Sequence, residues 1–413
     1  MAREKTPIEK YVQPSTLRPD AQRQGHWFLH FGPQHPATHT TIHLVLELDG
    51  ERIVNVTPHI GYLHSGFEKL AEHHTFDQYV VVTDRMNYIS PIANNIAWHG
   101  AVEKLLGIEI TPRCKYLRTI MAELARIQDH LLCVGEAALE VAAMTVFVYT
   151  FNDREIINDL FEIICGARFT TSWTRTGGAM ADIPEGWVGC VRDFCQQLPK
   201  TLDDCRTLLN RNRIFVDRTK GVSVLPREEA INWGWSGPIA RASGVERDLR
   251  KDEPYLAYPD LDFKVALAGG GDVYSRYLVR LEEMEQSLRI IKQALENIPP
   301  GDINVDSEQK VTLPDKAQVY GSIEGLMHHF EQVMSSRGYR TPVNEVYSAQ
   351  ETANGELGFY LVADGTNKAF RAKTRGPSFQ HLQSVARILK GHTISEVVVT
   401  LSSLNIIAAE LDR

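Results

Sequence analysis

From Thr111 to about Tyr149 the sequence carries one long apolar stripe, and no other stretch restricts the fold as much. Thr111 has a side chain suited to capping a helix, and Pro112 suits the first helical position. Behind them Leu117, Ile120, Met121, Leu124, Ile127, Leu131 and Leu132 recur with a 3.6-residue period. A helix of that length with so apolar a face needs other helices against it, which predicts a bundle. Its partners can be read from the same period. Helical character begins near residue 66, and Asp153 to Ile164 reads as a helix. Residues 186–212 suggest another, with Leu198, Leu202 and Leu208 as core residues. Leu278, Leu281, Met284, Leu288, Ile291, Leu295 and Ile298 mark a third, stopped by Pro299-Pro300-Gly301. A further helix is predicted from Ser322 to Gly338.

Strands fill part of the remainder. Residues 40–56 alternate apolar and polar side chains around an Asp49-Gly50 turn, a hairpin pattern. Residues 356–375 read as strand, Asp364-Gly365 turn, strand. Residues 213–270 are punctuated by Gly and Pro and read as loop or short strand, and residues 1–25 as an extended arm. The expected fold is therefore α+β and mainly helical. It has the arm over 1–25, a small β-hairpin-rich α/β domain over 26–95, and a helical body over 96–413 that contains the C-terminal hairpin and tail.

Charge and composition exclude some classes. The net charge is −8, which argues against a nucleic-acid binder that relies on bulk charge. The longest uncharged apolar runs, near Val141–Asn152 and Val397–Ala409, reach about a dozen residues, and a membrane span needs about 20. The polar first 25 residues look like neither a signal nor a transit peptide. Six cysteines are present, none spaced C-x-x-C, which reads as reduced structural thiols and gives no cluster or zinc site from this chain's own cysteines. G-x-G-x-x-G, the P-loop, H-E-x-x-H and G-x-S-x-G are all missing, and Gly269-Gly270-Gly271-Asp272 lacks the residues that follow a phosphate loop.

Three features could carry chemistry. Nine of the fifteen histidines fall within the first 74 residues: His26, His30, His35, His39, His43, His59, His64, His73 and His74. His35, His39 and His43 recur every four. Pro36 and the β-branched residues after it favour a strand, on which His39 and His43 would share a face. These histidines could be surface and loop residues, metal ligands, or proton donors to a bound ligand. Glu140 lies in the apolar run Ala137-Ala138-Leu139-Glu140-Val141, either at a solvent-facing rim or as a buried acid paired with a cation or a histidine. Tyr88 sits at a helix edge in Asp84-Arg85-Met86-Asn87-Tyr88 and says little alone.

Longer motifs change that reading. Phe31-Gly-Pro-Gln-His-Pro-Ala-Thr-His39, Pro58-His-Ile-Gly-Tyr-Leu-His-Ser-Gly-Phe-Glu-Lys69 and Asp84-Arg-Met-Asn-Tyr88 occur in order. They are followed by Arg175-Thr-Gly-Gly178, Arg241-Ala-Ser-Gly244, Asp248-Leu-Arg-Lys251, Gly271-Asp-Val273, Gly355-Glu-Leu-Gly358, Arg375-Gly-Pro-Ser-Phe379 and Leu411-Asp-Arg413. Together they resemble the 49 kDa, or D, subunit family of respiratory complex I, the proton-pumping NADH:quinone oxidoreductase, over essentially the whole chain beyond the arm. That family is related to the large subunit of nickel–iron hydrogenases. The resemblance therefore implies a hydrogenase-like helical body, with the quinone-site motifs in the segment 26–95. A hydrogenase needs two C-x-x-C pairs for its metal, and this sequence has neither, so no metal is expected. The resemblance makes a membrane-bound hydrogenase-type large subunit a remote alternative, beside a His-rich metallohydrolase and a purely scaffolding role.

The resemblance further implies an enzyme active only within its multisubunit complex. Quinone, ubiquinone or menaquinone, is the substrate, and no cofactor is held by this chain alone. Electrons would come from a tetranuclear iron–sulfur (4Fe-4S) cluster in the neighbouring B subunit. His39 and Tyr88 match the residues that hydrogen-bond the two quinone carbonyls, and Glu140 matches the acid paired with the histidine. Arg85 and Thr170 match positions near the partner's cluster. Partners would be the B, C and I subunits and the membrane-embedded H subunit, with no nucleic acid. The location would be peripheral, on the cytoplasmic face of the bacterial cell membrane, with lipid contact only through partners. Three departures stand out: Glu140 where many relatives have Asp, Thr170 where many have a histidine, and Asn405-Ile406 in place of Asp-Pro. The second implies a cluster potential that varies weakly with pH.

Overall fold

The computed structural model describes residues 25–306, 311–334 and 337–413. The arm expected over 1–25 lies outside them apart from Gly25. The described residues form an α+β structure that is mainly helical, as the patterning predicts.

Three antiparallel strands come first, β1 (Trp27–Phe31), β2 (His43–Asp49) and β3 (Arg52–His59). The predicted turn joins β2 to β3, with Gly50 at φ +60°, and Leu44, Leu46 and Leu48 of β2 point into the core. Against them pack Val397, Leu401 and Leu404 of a helix near the other end of the chain. The segment 391–394 extends this contact through two backbone hydrogen bonds to β3 (Gly391 N to Ile53 O 2.8 Å, Ile53 N to His392 O 2.8 Å).

The helices follow: α1 (Phe67–His73), α2 (Pro91–Leu106), α3 (Pro112–Leu139), α4 (Met144–Cys165), α5 (Trp187–Leu209), α6 (Val273–Glu296), α7 (Ile323–Val333) and α8 (Ile394–Leu404), with shorter helices between. The Thr111 hydroxyl caps α3 by accepting from Cys114 N at 3.2 Å. α3 is the central rod of the bundle: its apolar face is almost wholly shielded, and so are Arg118, Glu123, Arg126, Asp129 and His130. α4, α5 and α6 share one apolar core with it. Strands β4 (Thr174–Arg175) and β5 (Gly178–Ala179) form a minimal ribbon. The third sheet, β6 (Val343–Thr352), β7 (Gly355–Asp364) and β8 (Ala369–Arg375), covers α2, where the Trp98 ring meets Phe359 edge-on at 5.3 Å.

The structure corrects several expectations. Residues 213–270 hold four short helices (213–219, 227–232, 237–242 and 249–252) and no strand; each is too short to show a period, and Asn212, Pro226 and Asp248 start three of them. α7 ends at Val333 rather than Gly338. His39 and His43 do not share a strand face. His39 closes a 3-10 turn over Pro36–Thr38 in the left-handed conformation, φ +57°, and the strand begins only at His43. Proline at the start of the turn and a left-handed residue at its end leave no room for extended backbone. The six cysteines are all free; burial pushes the Cys133 and Cys205 thiols up to about 12.

Candidate functional site

The end of α3 decides where the site lies. No glycine or proline breaks the apolar run there. Instead Ala142 takes φ +66°, and Ala143 N returns to Ala138 O at 2.9 Å, which ends the helix and starts α4 at a new angle. Glu136 sits in the last turn of α3 and Glu140 caps it. The 3-10 turn of residues 36–38 brings His39 against both. His39 Nδ1 lies 3.2 Å from Glu136 Oε2, and His39 Nε2 lies 3.3 Å from Glu140 Oε1. Nε2 is buried, and its alignment with Glu140 is too poor for a hydrogen bond, so it keeps no hydrogen-bond partner. Burial raises the Glu140 carboxyl above its ordinary value; His39 opposes the rise and Glu136 adds to it.

Beside this sandwich is a cavity of about 220 Å³, walled by His39, Tyr88, Glu136, Arg154, Leu132, Phe151 and the segment 401–407. Tyr88 follows the short helix Val80–Thr83, and the Thr40 hydroxyl, next in sequence to His39, faces its phenol. Burial raises the Tyr88 hydroxyl's pKa, and the charge of Glu136 adds to this. The phenol thus stays a proton donor at neutral pH. A larger recess of about 560 Å³ lies between α5 and α6, but it is an open groove lined largely by charged side chains such as Glu285, Arg289 and Lys292, with no histidine or tyrosine in it.

Behind the cavity Asp129 is held by three donors from two parts of the chain. Asn87 Nδ2 and Ser90 Oγ each donate to it at 3.0 Å, and Asn405 Nδ2 donates to its other oxygen. Glu410, hydrogen-bonded by the Ser378 hydroxyl, is a buried acid of the same region, and burial pushes it up to about 7. The cavity wall thus mixes apolar surface with a few fixed polar groups, as sites for a flat ligand do. Its volume falls below the roughly 300–1,000 Å³ of drug-sized ligand pockets, so it suits a single substituted ring.

Of the residues singled out from the sequence, His39, Tyr88 and Glu140 come together here. Arg85 and Thr170 do not reach the cavity. Their segments meet elsewhere, where Asp84 accepts from Ser172 N at 3.3 Å and from the Ser172 hydroxyl. Arg85 is exposed there, with its guanidinium donating to Val81 O at 3.0 Å, and Thr170 is half-buried. His35, His39 and His43 have separate fates: the His35 ring accepts from Ala37 N, and His43 stacks between His30 and His59. Among the described residues no group of three or more His, Cys, Asp or Glu side chains is arranged to hold a metal ion.

Sequence reasoning missed Glu136, Arg154 and Asp129. Glu136 had a signal. Two acids four residues apart at a helix end repel each other, so the pair Glu136 and Glu140 calls for a cation between them. Arg154 is 8% exposed, its Nε has no partner, and its guanidinium lies over the Phe151 ring at 5.3 Å.

Comparison with known proteins agrees with the motif reading. Residues 140–413 match the family model described as respiratory-chain NADH dehydrogenase, 49 Kd subunit. The chain is 46% identical over 385 residues to the NADH-quinone oxidoreductase D subunit of Geotalea uraniireducens, covering 93% of this chain and 98% of that one. It is 44% identical over 388 residues to the D subunit of Pelobacter propionicus, covering 94% and 96%. A fused C/D subunit of the same enzyme from Bdellovibrio bacteriovorus is 48% identical over 385 residues, covering 93% of this chain and 68% of the fusion.

Proposed function

The chain belongs to the 49 kDa subunit family of the respiratory-chain NADH dehydrogenases, and from that premise we propose that its cavity receives the headgroup of a quinone and delivers protons to it. The observation that carries this reading is the wall itself: the His39 imidazole and a phenol kept protonated by burial, both on a cavity sized for one ring. A quinone presents two carbonyl oxygens on opposite sides of its ring. His39 and Tyr88 supply one N–H and one O–H donor. Reduction to the quinol takes two electrons and two protons, and both side chains can give a proton to an oxygen in hydrogen-bond reach.

On this reading the chain holds no group of its own for the electrons; they arrive from an iron–sulfur cluster of the B subunit, and the edge bearing Arg85 and Thr170 faces that partner. A cation at Arg85 would favour the cluster's reduced, more negative state. The relative with the C and D subunits in one chain supports the C subunit as a neighbour, and the I and H subunits complete the set we propose. No helix among the described residues is long and apolar enough to cross a membrane, so quinone would enter through a membrane partner, with this chain peripheral on the cytoplasmic face. The loss of a proton from His39 leaves Glu140 with less positive charge beside it. We take that change as the trigger that couples reduction to proton translocation.

The test uses the assembled complex. Tyr88→Phe and His39→Ala should each lower quinone reduction by about 100-fold, the usual scale of a lost proton donor, while NADH oxidation by ferricyanide, which does not need the quinone site, stays at the parental rate. Quinone reduction at the parental rate in either variant would reject the reading, and in both would favour a scaffolding role.

A further inference from the structure

We propose that Glu136 is a second positioning acid for His39: it holds the ring through Nδ1 as Glu140 does through Nε2, and so keeps the donor aimed and loaded between turnovers. The inference deepens the quinone-site reading and rests on it. Its basis is the pair of contacts, 3.2 Å from Glu136 to Nδ1 and 3.3 Å from Glu140 to Nε2. A neutral imidazole has one N–H and one bare nitrogen, so it can donate to only one of the two carboxylates. Both contacts are favourable only when both ring nitrogens carry protons, or when one carboxyl group carries the proton instead. The three side chains therefore share protons as a unit, and one acid alone would not hold the ring this way.

The two acids differ in position. Glu136 lines the cavity, and Glu140 does not. Glu136 also faces the other charged and titratable groups of the wall. Tyr88 lies opposite from the turn after Val80–Thr83, Arg154 from α4, and Asp129 and Glu140 from α3 itself, with His35 near Glu140 from the N-terminal segment. The Arg154 guanidinium has no ion-pair partner within 4 Å among the described residues, so it supplies positive charge across the cavity from Glu136.

On the quinone-site reading, a quinone would take two electrons supplied by the neighbouring subunit, one proton from His39 and one from the Tyr88 hydroxyl, and would leave as quinol. The N–H that remains on His39 is the one facing Glu136. The ring stays in place, held by Glu136, and water returns a proton to it and to the Tyr88 oxygen.

The experiment compares Glu136→Gln, Glu136→Asp and His39→Ala in the assembled complex, with a short-chain ubiquinone analogue as acceptor and ferricyanide as the control acceptor. Glu136→Gln should lower kcat for the quinone about tenfold and move the alkaline limb of its pH profile to lower pH, because a nearby carboxylate favours the protonated form of a base. Glu136→Asp should recover most of the rate and of the pH profile. A parental rate and pH profile in Glu136→Gln, with His39→Ala inactive toward quinone, overturns this inference and leaves the quinone site standing. If His39→Ala reduces quinone at the parental rate, the site reading itself falls. Should the glutamine variant lose ferricyanide activity, and so its assembly, Glu136→Ala carries the same pH profile comparison.

Discussion

Asn405 stands where the resemblance leads one to expect an aspartate, and its surroundings give the reason. It ends α8 in the left-handed conformation, φ +52°, which asparagine tolerates better than most residues. Its amide nitrogen donates to Asp129 and, at 2.7 Å, to Asn354 Oδ1. Asn405→Asp would remove both donors and press a second carboxylate against Asp129, so one of the two must take a proton. A carboxyl whose folded pKa is raised contributes most below its unfolded value, near 4, and loses that contribution as pH rises through the folded value. The variant complex should therefore lose about 1–3 kcal/mol of stability, more at pH 8 than at pH 6, read as the midpoint of thermal inactivation at each pH. An equal drop at both would show that no proton is shared. Residue by residue, the long motifs picked out positions that the structure places near one another: His39 lies beside Glu140 and shares a cavity wall with Tyr88. Composition alone left all three open, since a histidine four residues from another says nothing about which turn follows it. Glu136 left a local trace in its spacing from Glu140, whereas Asp129 and Asn405 meet across 276 residues, and no local pattern records that contact.

At the scale of elements, the apolar pattern leaves room for a break before Tyr149 but does not place it between α3 and α4. The apolar period runs on through residues 140–143, yet an alanine at φ +66° ends the helix there and sets Glu140 beside His39. Such a backbone costs an L-residue roughly 1–2 kcal/mol that glycine avoids. Ala142→Gly should therefore raise stability by about 0.5 kcal/mol, the relief less the glycine's added chain entropy, with quinone reduction unchanged. Ala142→Val, β-branched and exposed, should lower it by about 1–2 kcal/mol and reduce the quinone rate, because the turn that carries Glu140 must shift. Urea midpoints of quinone-reductase inactivation would order the three proteins, and a valine variant as stable as the parent would contradict the strain. The long helices were legible because their buried faces are regular. The middle segment was not. Its Arg241 and Arg250 are buried and tied to distant elements: Arg241 binds Glu283 of α6 and Glu351 of β6, both at 2.8 Å, and Arg250 binds Glu123 of α3 at 3.2 Å besides its neighbour Asp248 at 2.6 Å. The Arg241 and Asp248 motifs, unexplained as sequence, are the rivets of the bundle. β6 escaped notice for a related reason, since Gln350, Glu351 and Thr352 at its end are all buried and break the alternation a strand should show.

Over the whole molecule the two ends of the chain close the site together. The turn between the first two strands supplies His39 and Thr40, and the last helices supply Ser402, Asn405 and Ile407. Ala408 N donates to the Thr40 hydroxyl at 2.9 Å, across nearly the full sequence. Farther along, the Asp412 carboxylate accepts from Gly61 N at 2.8 Å and from Leu63 N at 2.7 Å, and Arg413 lies over the Phe379 ring at 4.4 Å. These contacts hold the loop after β3 against the segment that walls the cavity. This is why the histidine-rich first residues, read in isolation, suggested only scattered imidazoles: their site is completed by residues near the far end of the chain. Asp412→Ala should release two backbone donors, at a cost of about 2 kcal/mol for charge-assisted hydrogen bonds that are partly exposed. Hydrogen exchange at the Gly61 and Leu63 amides should then quicken in the assembled complex by about 10–30-fold. The KM for quinone should rise severalfold, and kcat should fall less, because the donors on His39 and Tyr88 remain while the wall around them loosens. Unchanged exchange at both amides would mean that the loop is held by the sheet alone, and that the end of the chain does not help to shape the cavity.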